Sequence, residues 1–208
     1  MKKQDIRHWE IQISLWIIIM ILLMICHRVN AQNLDIHILR QINTSHTLTA
    51  DGFFRVVSNS DIAMVAAVPL TMMIVGVANR DVKLIDNSGL LIVSTVITFC
   101  ITDVVKYKVN RQRPFVTYKD ILNKSKVYSL DPSFPSGHTS IAFNLATSLS
   151  LDYPKWYIIL PVFTYAGTVA YSRMYLGVHY PSDILVGALI GSGTAYLTHV
   201  VCKRLNRY

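Results

Sequence analysis

Charged side chains are scarce in this sequence. They make up 15% of its 208 residues, against roughly 25% in soluble globular domains. A chain so short of charge cannot clothe a soluble globule in the usual way. Cysteine is scarce too: Cys26, Cys100 and Cys202 each lie in or beside an apolar run, and no CxxC pair occurs. An odd, unspaced set argues against a disulfide framework or a zinc site, and we read the three as small apolar packing residues. No cluster of His, Cys and Glu has the spacing of metal ligands, so no metal and no other cofactor is expected. Internal repeats, low-complexity tracts and linker-like stretches are missing as well, and residues 1–208 are read as one domain.

What the chain has instead is apolar surface. Hydrophobic residues reach 52% and the mean hydropathy is positive, which favours an integral membrane protein. The formal net charge of +8 points to acidic partners such as anionic lipid heads and phosphates. Nucleic acid is not expected, because the cations do not sit on a soluble module. Six apolar stretches can be set against the ~20 residues that cross a bilayer: Ile11–Cys26, Ile62–Ala78, Gly89–Val105, Thr139–Leu151, Trp156–Tyr171 and Ile184–Cys202. The fourth is short and carries Ser140, Asn144, Thr147, Ser148 and Ser150. Its small polar residues suit a helix packed inside a bundle, away from lipid. In the sixth, Gly187 and Gly191 form a small-xxx-small face for close helix contact. The first stretch, with Lys2, Lys3 and Arg7 before it, also has the outline of a signal peptide ending at Val29-Asn30-Ala31. Its length and the following His27 and Arg28 favour a retained helix. Residues 31–60 read as short amphipathic helices at the interface, between the first two spans.

Six spans place both termini on one side, with the loops around residues 79–83 and 152–155. Lys and Arg divide nine on that side against eleven on the other, so a bare positive-inside count decides nothing. The eleven cluster where chemistry is suspected, however, and cations recruited for a substrate are not topology signals. The short loops and basic tails therefore mark the cytoplasmic side, and the cluster faces outward.

On that outer face three polar islands meet. "KYKVNRQRP" (Lys106–Pro114) leaves the third stretch, "PSGH" (Pro135–His138) enters the fourth, and "SRMYLGVHYPSD" (Ser172–Asp183) joins the fifth to the sixth. They meet only if the marginal fourth stretch spans. Each Arg or Asp costs on the order of 2.5–3.5 kcal/mol at a bilayer centre, so these residues call for a use. Lys106, Arg113 and Arg173 are cations; the guanidinium fork suits phosphate oxygens and lysine adds a point charge. Ser136 and Gly137 open a helix, where free backbone N–H groups bind anions and glycine permits close approach. His138 and His179 titrate near neutral pH. Asp183 lies four residues beyond His179 and can accept its Nδ1 proton, leaving Nε2 as a nucleophile. Together these are the parts of a metal-free phosphatase.

Taken together, Lys106, Arg113 and Pro114 (Lys-x6-Arg-Pro), Pro135–His138 (Pro-Ser-Gly-His), and Ser172, Arg173, His179 and Asp183 (Ser-Arg-x5-His-x3-Asp) form a three-part signature. It resembles that of the type 2 phosphatidic acid phosphatase family, which shares its site with vanadium haloperoxidases. The resemblance implies that His179 attacks phosphorus and carries a phosphohistidine, with Asp183 orienting it. It implies that His138 protonates the leaving oxygen and then activates water. Lys106, Arg113, Ser136, Gly137 and Arg173 would bind the phosphoryl oxygens.

Three further features are weaker. Asp103 lies at i,i+3 from Lys106 and can support it, or be a solvated helix end. The loop from Phe115 to Phe134, with Lys119, Lys124 and Lys126, is read as flexible, either a lid over a head group or a plain solvated loop. Ser58-x-x-Asp61 reads as a loop and helix cap. The sequence thus predicts an all-α, six-transmembrane-helix bundle. It would dephosphorylate a lipid phosphate or diphosphate on the outer face of the cytoplasmic membrane: undecaprenyl diphosphate, phosphatidylglycerophosphate, phosphatidic acid or a lipid A phosphate. A phosphotransferase using the same site, or a lipid-binding or flipping protein with a dead site, are the rivals.

Overall fold

The computed structural model describes residues 28–44, 47–126 and 131–205. Stretch Ile11–Cys26, and with it the choice between a retained helix and a signal peptide, lies outside them. Among the described residues the regular structure is all helical: α1 (Arg28–Asn43), α2 (Leu48–Asn79), α3 (Val82–Val109), α4 (Pro114–Thr117), α5 (Gly137–Asp152), α6 (Trp156–Tyr175) and α7 (Pro181–Leu205). The chain divides into two compact units, Met1–His37 and Ile38–Tyr208. In the first, the described residues belong to α1. The second carries everything below.

Local chemistry sets the helix ends. The Thr47 side chain caps α2 by accepting from the Ala50 N–H (3.3 Å), and Asp81 caps α3 by accepting from Leu84 (3.1 Å). Arg80 and Asn110 take left-handed backbone (φ 56° and 48°) and close α2 and α3. Pro114 opens α4 at a position where its missing N–H costs nothing.

The expected short interfacial helices take a different form. Arg28–Asn43 form one helix, and residues 48–61 are the first turns of α2, continuous with the second apolar stretch. Polar residues of this stretch are turned inward: Asp51 and Ser58 are buried, as is Asp61 just beyond it. An amphipathic pattern cannot distinguish a polar face turned to water from one turned to a polar protein interior.

Three helical segments among the described residues are long and apolar enough to cross a membrane: Leu48–Asn79, Val82–Thr117 and Pro181–Arg204. Their outer faces carry exposed Leu70, Ile74, Phe99, Leu185 and Leu189, an arrangement suited to lipid. Helix α5 is inside the bundle, packed against α2, α3, α6 and α7. Its side chain of Asn144 ties three helices together. The amide nitrogen donates to Thr98 Oγ1 in α3 (2.9 Å) and to the Gly191 carbonyl in α7 (3.4 Å), and the amide oxygen accepts from Ser94 (3.1 Å) and Thr95 (3.2 Å). Ser140 and Ser148 are buried with it. The polar residues that made this stretch marginal by hydropathy are thus its packing surface.

The small-residue face of α7 presses on the start of α5. A Cβ at Gly187 would lie 2.7 Å from the Ser136 carbonyl oxygen, and one at Gly191 would lie 2.0 Å from that of Ser140. Any side chain at either position must push α5 away. The N-terminus of α5 is therefore held in place by backbone-to-backbone approach, the condition for a rigid anion cradle.

Candidate active site

The last turn of α3 carries Lys106. Asp103, one turn earlier, acts electrostatically on it, as do Arg113, Asp131 and Arg173. After Asn110 the chain turns sharply and delivers Arg111 and Arg113. Arg113 is buried, and its Nε and Nη1 donate to the carbonyls of Asp131 (2.9 Å) and Val178 (3.2 Å). Part of its fork is thus spent on the loop that carries His179.

Ser136 is the N-cap of α5, and its hydroxyl oxygen accepts from Thr139 Oγ1 (3.0 Å). The Ser136 N–H donates to the Asp183 carbonyl (3.1 Å), joining this cradle to the start of α7. A Cβ at Gly137 would meet Lys106 Nζ at 4.0 Å, so the lysine ammonium faces the glycine at the helix start. Both supply positive potential to one point.

Gly177 makes the turn that returns the chain from α6. Its φ is +75° and a Cβ would lie 2.4 Å from the Leu122 carbonyl, so the position requires glycine. Two residues later His179 is buried, 2% exposed. Its Nδ1 is 3.4 Å from Asp183 Oδ2 but makes no hydrogen bond in this geometry. Asp183 is itself clamped: Oδ2 accepts from the Tyr180 N–H (2.9 Å) and Oδ1 from Arg111 Nη1 (2.9 Å). The Arg111 guanidinium lies over the Tyr180 ring, 3.6 Å from its centroid, and Nη1 also donates to Ser182 Oγ (2.7 Å).

The three expected islands converge. Arg173, Arg113 and Lys106 all act electrostatically on both His138 and His179. Burial, reinforced by those cations, holds the His179 imidazole well below the usual histidine range. The ring is thus held in its neutral form.

A fourth element also reaches the site. Arg173 is buried in the last turn of α6, and its Nη1 donates to Ser58 Oγ of α2. Asp61, one turn further along α2, places Oδ1 3.9 Å from His138 Nε2. The Ser58–Asp61 segment is therefore no loop and cap; it lies within α2 and forms one wall of the site. Two signals were available: the residues stand at i,i+3, and an ionisable residue entering an apolar helix is costly unless used.

The loop after α4 also departs from expectation. Lys124 is buried, donates to the Asn43 carbonyl (2.7 Å) and sits 4.1 Å from the Tyr175 ring centroid. Asn43 pairs with Leu122 through both its amide donor (3.1 Å) and its oxygen (2.8 Å). Tyr175 in turn donates to Asp51 (2.9 Å). This part of the loop is pinned rather than flexible, and Lys124 is an anchor. Asn43 and Asp51 are remote in sequence, so no local pattern marks Lys124 as an anchor.

Residues 88–207 match the sequence profile of the PAP2 superfamily. The chain belongs to that superfamily. The match takes in the three islands and α7. A curated undecaprenyl-diphosphatase of Sulfolobus acidocaldarius is 39% identical over 113 residues, 52% of each chain. The chain thus spans about half the length of that relative. The crystal structure of Aquifex aeolicus LpxE superposes with a TM-score of 0.67 at 30% identity, over 79% of this chain and 94% of that one. A PAP2-type phosphatidylglycerolphosphate phosphatase from Bacillus subtilis superposes with a TM-score of 0.73, over 94% of this chain and 98% of that one. Its 20% identity speaks for the fold alone.

Proposed function

We propose that this PAP2 protein removes phosphate from a lipid phosphate or diphosphate through a phosphohistidine on His179. The convergence of Lys106, Arg113 and Arg173 on two histidines, beside the N-terminus of α5, carries the reading. His179 Nε2 attacks phosphorus with Nδ1 turned toward Asp183. The cations and the first N–H groups of α5 hold the equatorial oxygens, where charge gathers in the loose transition state. His138 gives a proton to the leaving oxygen, then takes one from the attacking water. Cations of the chain supply the positive field, so no divalent ion enters the scheme.

Undecaprenyl diphosphate, phosphatidylglycerophosphate, phosphatidic acid and lipid A phosphates all offer an anionic terminal phosphoryl group on an apolar tail. The apolar outer faces of α2, α3 and α7 suit a substrate that arrives from lipid. Purified protein in detergent is expected to release inorganic phosphate from at least one of these four in chelator, with vanadate inhibiting. Release from none, or release only after one divalent metal is restored, counts against the reading.

The proposal includes six spans, adding Ile11–Cys26, α5 and α6 to the three segments above. At 16 residues α5 covers about 24 Å, less than the ~30 Å hydrocarbon core. Enclosed by its neighbours, it need not meet lipid along its length. Both termini then face the cytoplasm and the site faces outward. Cysteines placed at Lys119 and Lys83, both exposed, in a chain whose native cysteines are replaced, test this. An impermeant thiol reagent on intact cells, with any outer membrane permeabilised, is expected to label position 119 and spare 83. The reverse pattern inverts the topology.

A further inference from the structure

Asp61 has no place in the three sequence motifs, yet it is 2% exposed and turned into the site. One oxygen, Oδ1, accepts from the Ile62 N–H (2.8 Å) and lies 3.9 Å from His138 Nε2. The other, Oδ2, is buried and has no hydrogen-bond partner. A carboxylate left half-satisfied in an apolar helix is costly, and such a cost is commonly met at functional sites. The surroundings suggest its use. His138 lies in the field of Arg173 from α6, Lys106 from α3, Arg113 ahead of α4, and His179. Every one of these, when charged, opposes a proton on His138. Asp61 itself is faced by His138 from α5 and by Arg173 and Tyr165 from α6. The other carboxylate of the constellation, Asp183, is already engaged by Arg111 and the Tyr180 N–H.

A cradle that binds a phosphoryl group with cations thus works against its own general acid. We propose that Asp61 is the positioning residue for His138, stabilising the imidazolium that protonates the leaving group. The inference rests on the phosphatase reading above. As the His179 Nε2–phosphorus bond forms, the bond from phosphorus to the leaving oxygen breaks and its electron pair stays on that oxygen. The oxygen takes the His138 proton and departs as an alcohol, or as a phosphate when the substrate is a diphosphate. Water then attacks phosphorus and gives its proton to His138, and the nitrogen–phosphorus pair returns to His179. Asp61 faces a cationic ring in the first half-reaction and again as water is deprotonated. It is not altered by either.

The test is the dependence on leaving group. Asp61→Asn keeps the shape and removes the charge. In the first turnover, which reports leaving-group departure before water attacks, the rate on phosphatidic acid, whose alkoxide needs the proton, is expected to fall about 10²-fold, the usual scale of general acid catalysis. The first-turnover burst of p-nitrophenol from p-nitrophenyl phosphate, whose leaving group is stable unprotonated, is expected to slow less than about threefold. The ratio of the two rates in one preparation does not depend on the fraction folded. The alkaline limb of kcat on phosphatidic acid is expected to move to lower pH, since His138 then loses its proton more readily, and Asp61→Glu is expected to restore part of it. In a His138→Ala background Asp61→Asn is expected to cost nothing further. Equal losses on both substrates, or an additive loss in that background, overturn the inference and leave the phosphatase reading standing. No phosphate release from p-nitrophenyl phosphate or from any of the four lipids by the wild-type protein sinks both.

Discussion

His179→Ala is expected to end phosphate release, lowering kcat by about 10⁴-fold or more, the scale on which removing a nucleophile acts. The ring is buried on the turn made by Gly177, beside a clamped carboxylate, and it feels three cations. With the imidazole gone, water would have to attack without a covalent intermediate. The same burial gives a second readout. The folded protein keeps His179 neutral well below the usual range, whereas the unfolded chain takes up a proton near pH 6.5. The unfolded state therefore binds more protons below that pH, and the wild-type protein loses stability as the pH falls through it. His179→Ala removes this contribution. The gap between thermal midpoints at pH 7 and pH 5 in detergent is expected to be smaller in the variant. Near-normal turnover in a folded variant overturns the nucleophile assignment, and an unchanged gap overturns the account of its charge.

The islands were legible because each is local. Lys106 to Pro114 is one helix end and one turn, Ser136 to His138 is one helix start, and His179 to Asp183 is a turn and a first helical position. Their convergence followed from counting spans and from a family resemblance. What remained hidden depends on approach between distant parts of the chain. Ser58 meets Arg173 across 115 positions and Lys124 meets Asn43 across 81, and no periodicity encodes such a meeting. Hydropathy also misled in one direction. It treats a polar residue as a mark of water, but in α5 Asn144 and Ser140 are buried, and in α2 so are Ser58 and Asp61. Inside a membrane bundle polarity turns inward, because the surrounding solvent is the apolar phase.

Arg173→Lys and Arg113→Lys are both expected to fail as conservative changes, and to fail differently. Each keeps its charge, so steering of an anionic head group should survive. Each loses the planar fork that holds two oxygens in fixed geometry. Arg173 is anchored by a bond from Nη1 to Ser58, while its buried Nε has no partner. Such a donor is free for phosphoryl oxygen as the group flattens. Its loss should fall on kcat, by about 10²-fold or more, as for one preorganised oxyanion donor. Apparent affinity should change little, because the lipid tail supplies much of the binding. Arg113 gives Nε and Nη1 to the carbonyls of Asp131 and Val178. A lysine there cannot make both bonds, and Val178 is the residue before His179. Arg113→Lys should therefore lower thermal stability as well as kcat, each lost bond to a charged donor being worth about 1.5–3 kcal/mol. Lys124→Ala belongs with it: losing a buried anchor should loosen the loop and lower the midpoint, with little change in salt dependence. Kinetics in mixed micelles at two ionic strengths, paired with thermal unfolding of the same preparations, separate the cases. Normal turnover in Arg173→Lys would move the cradle away from the end of α6. A stable Arg113→Lys with only kcat reduced would mean that its carbonyl bonds are incidental and its remaining nitrogen does the binding.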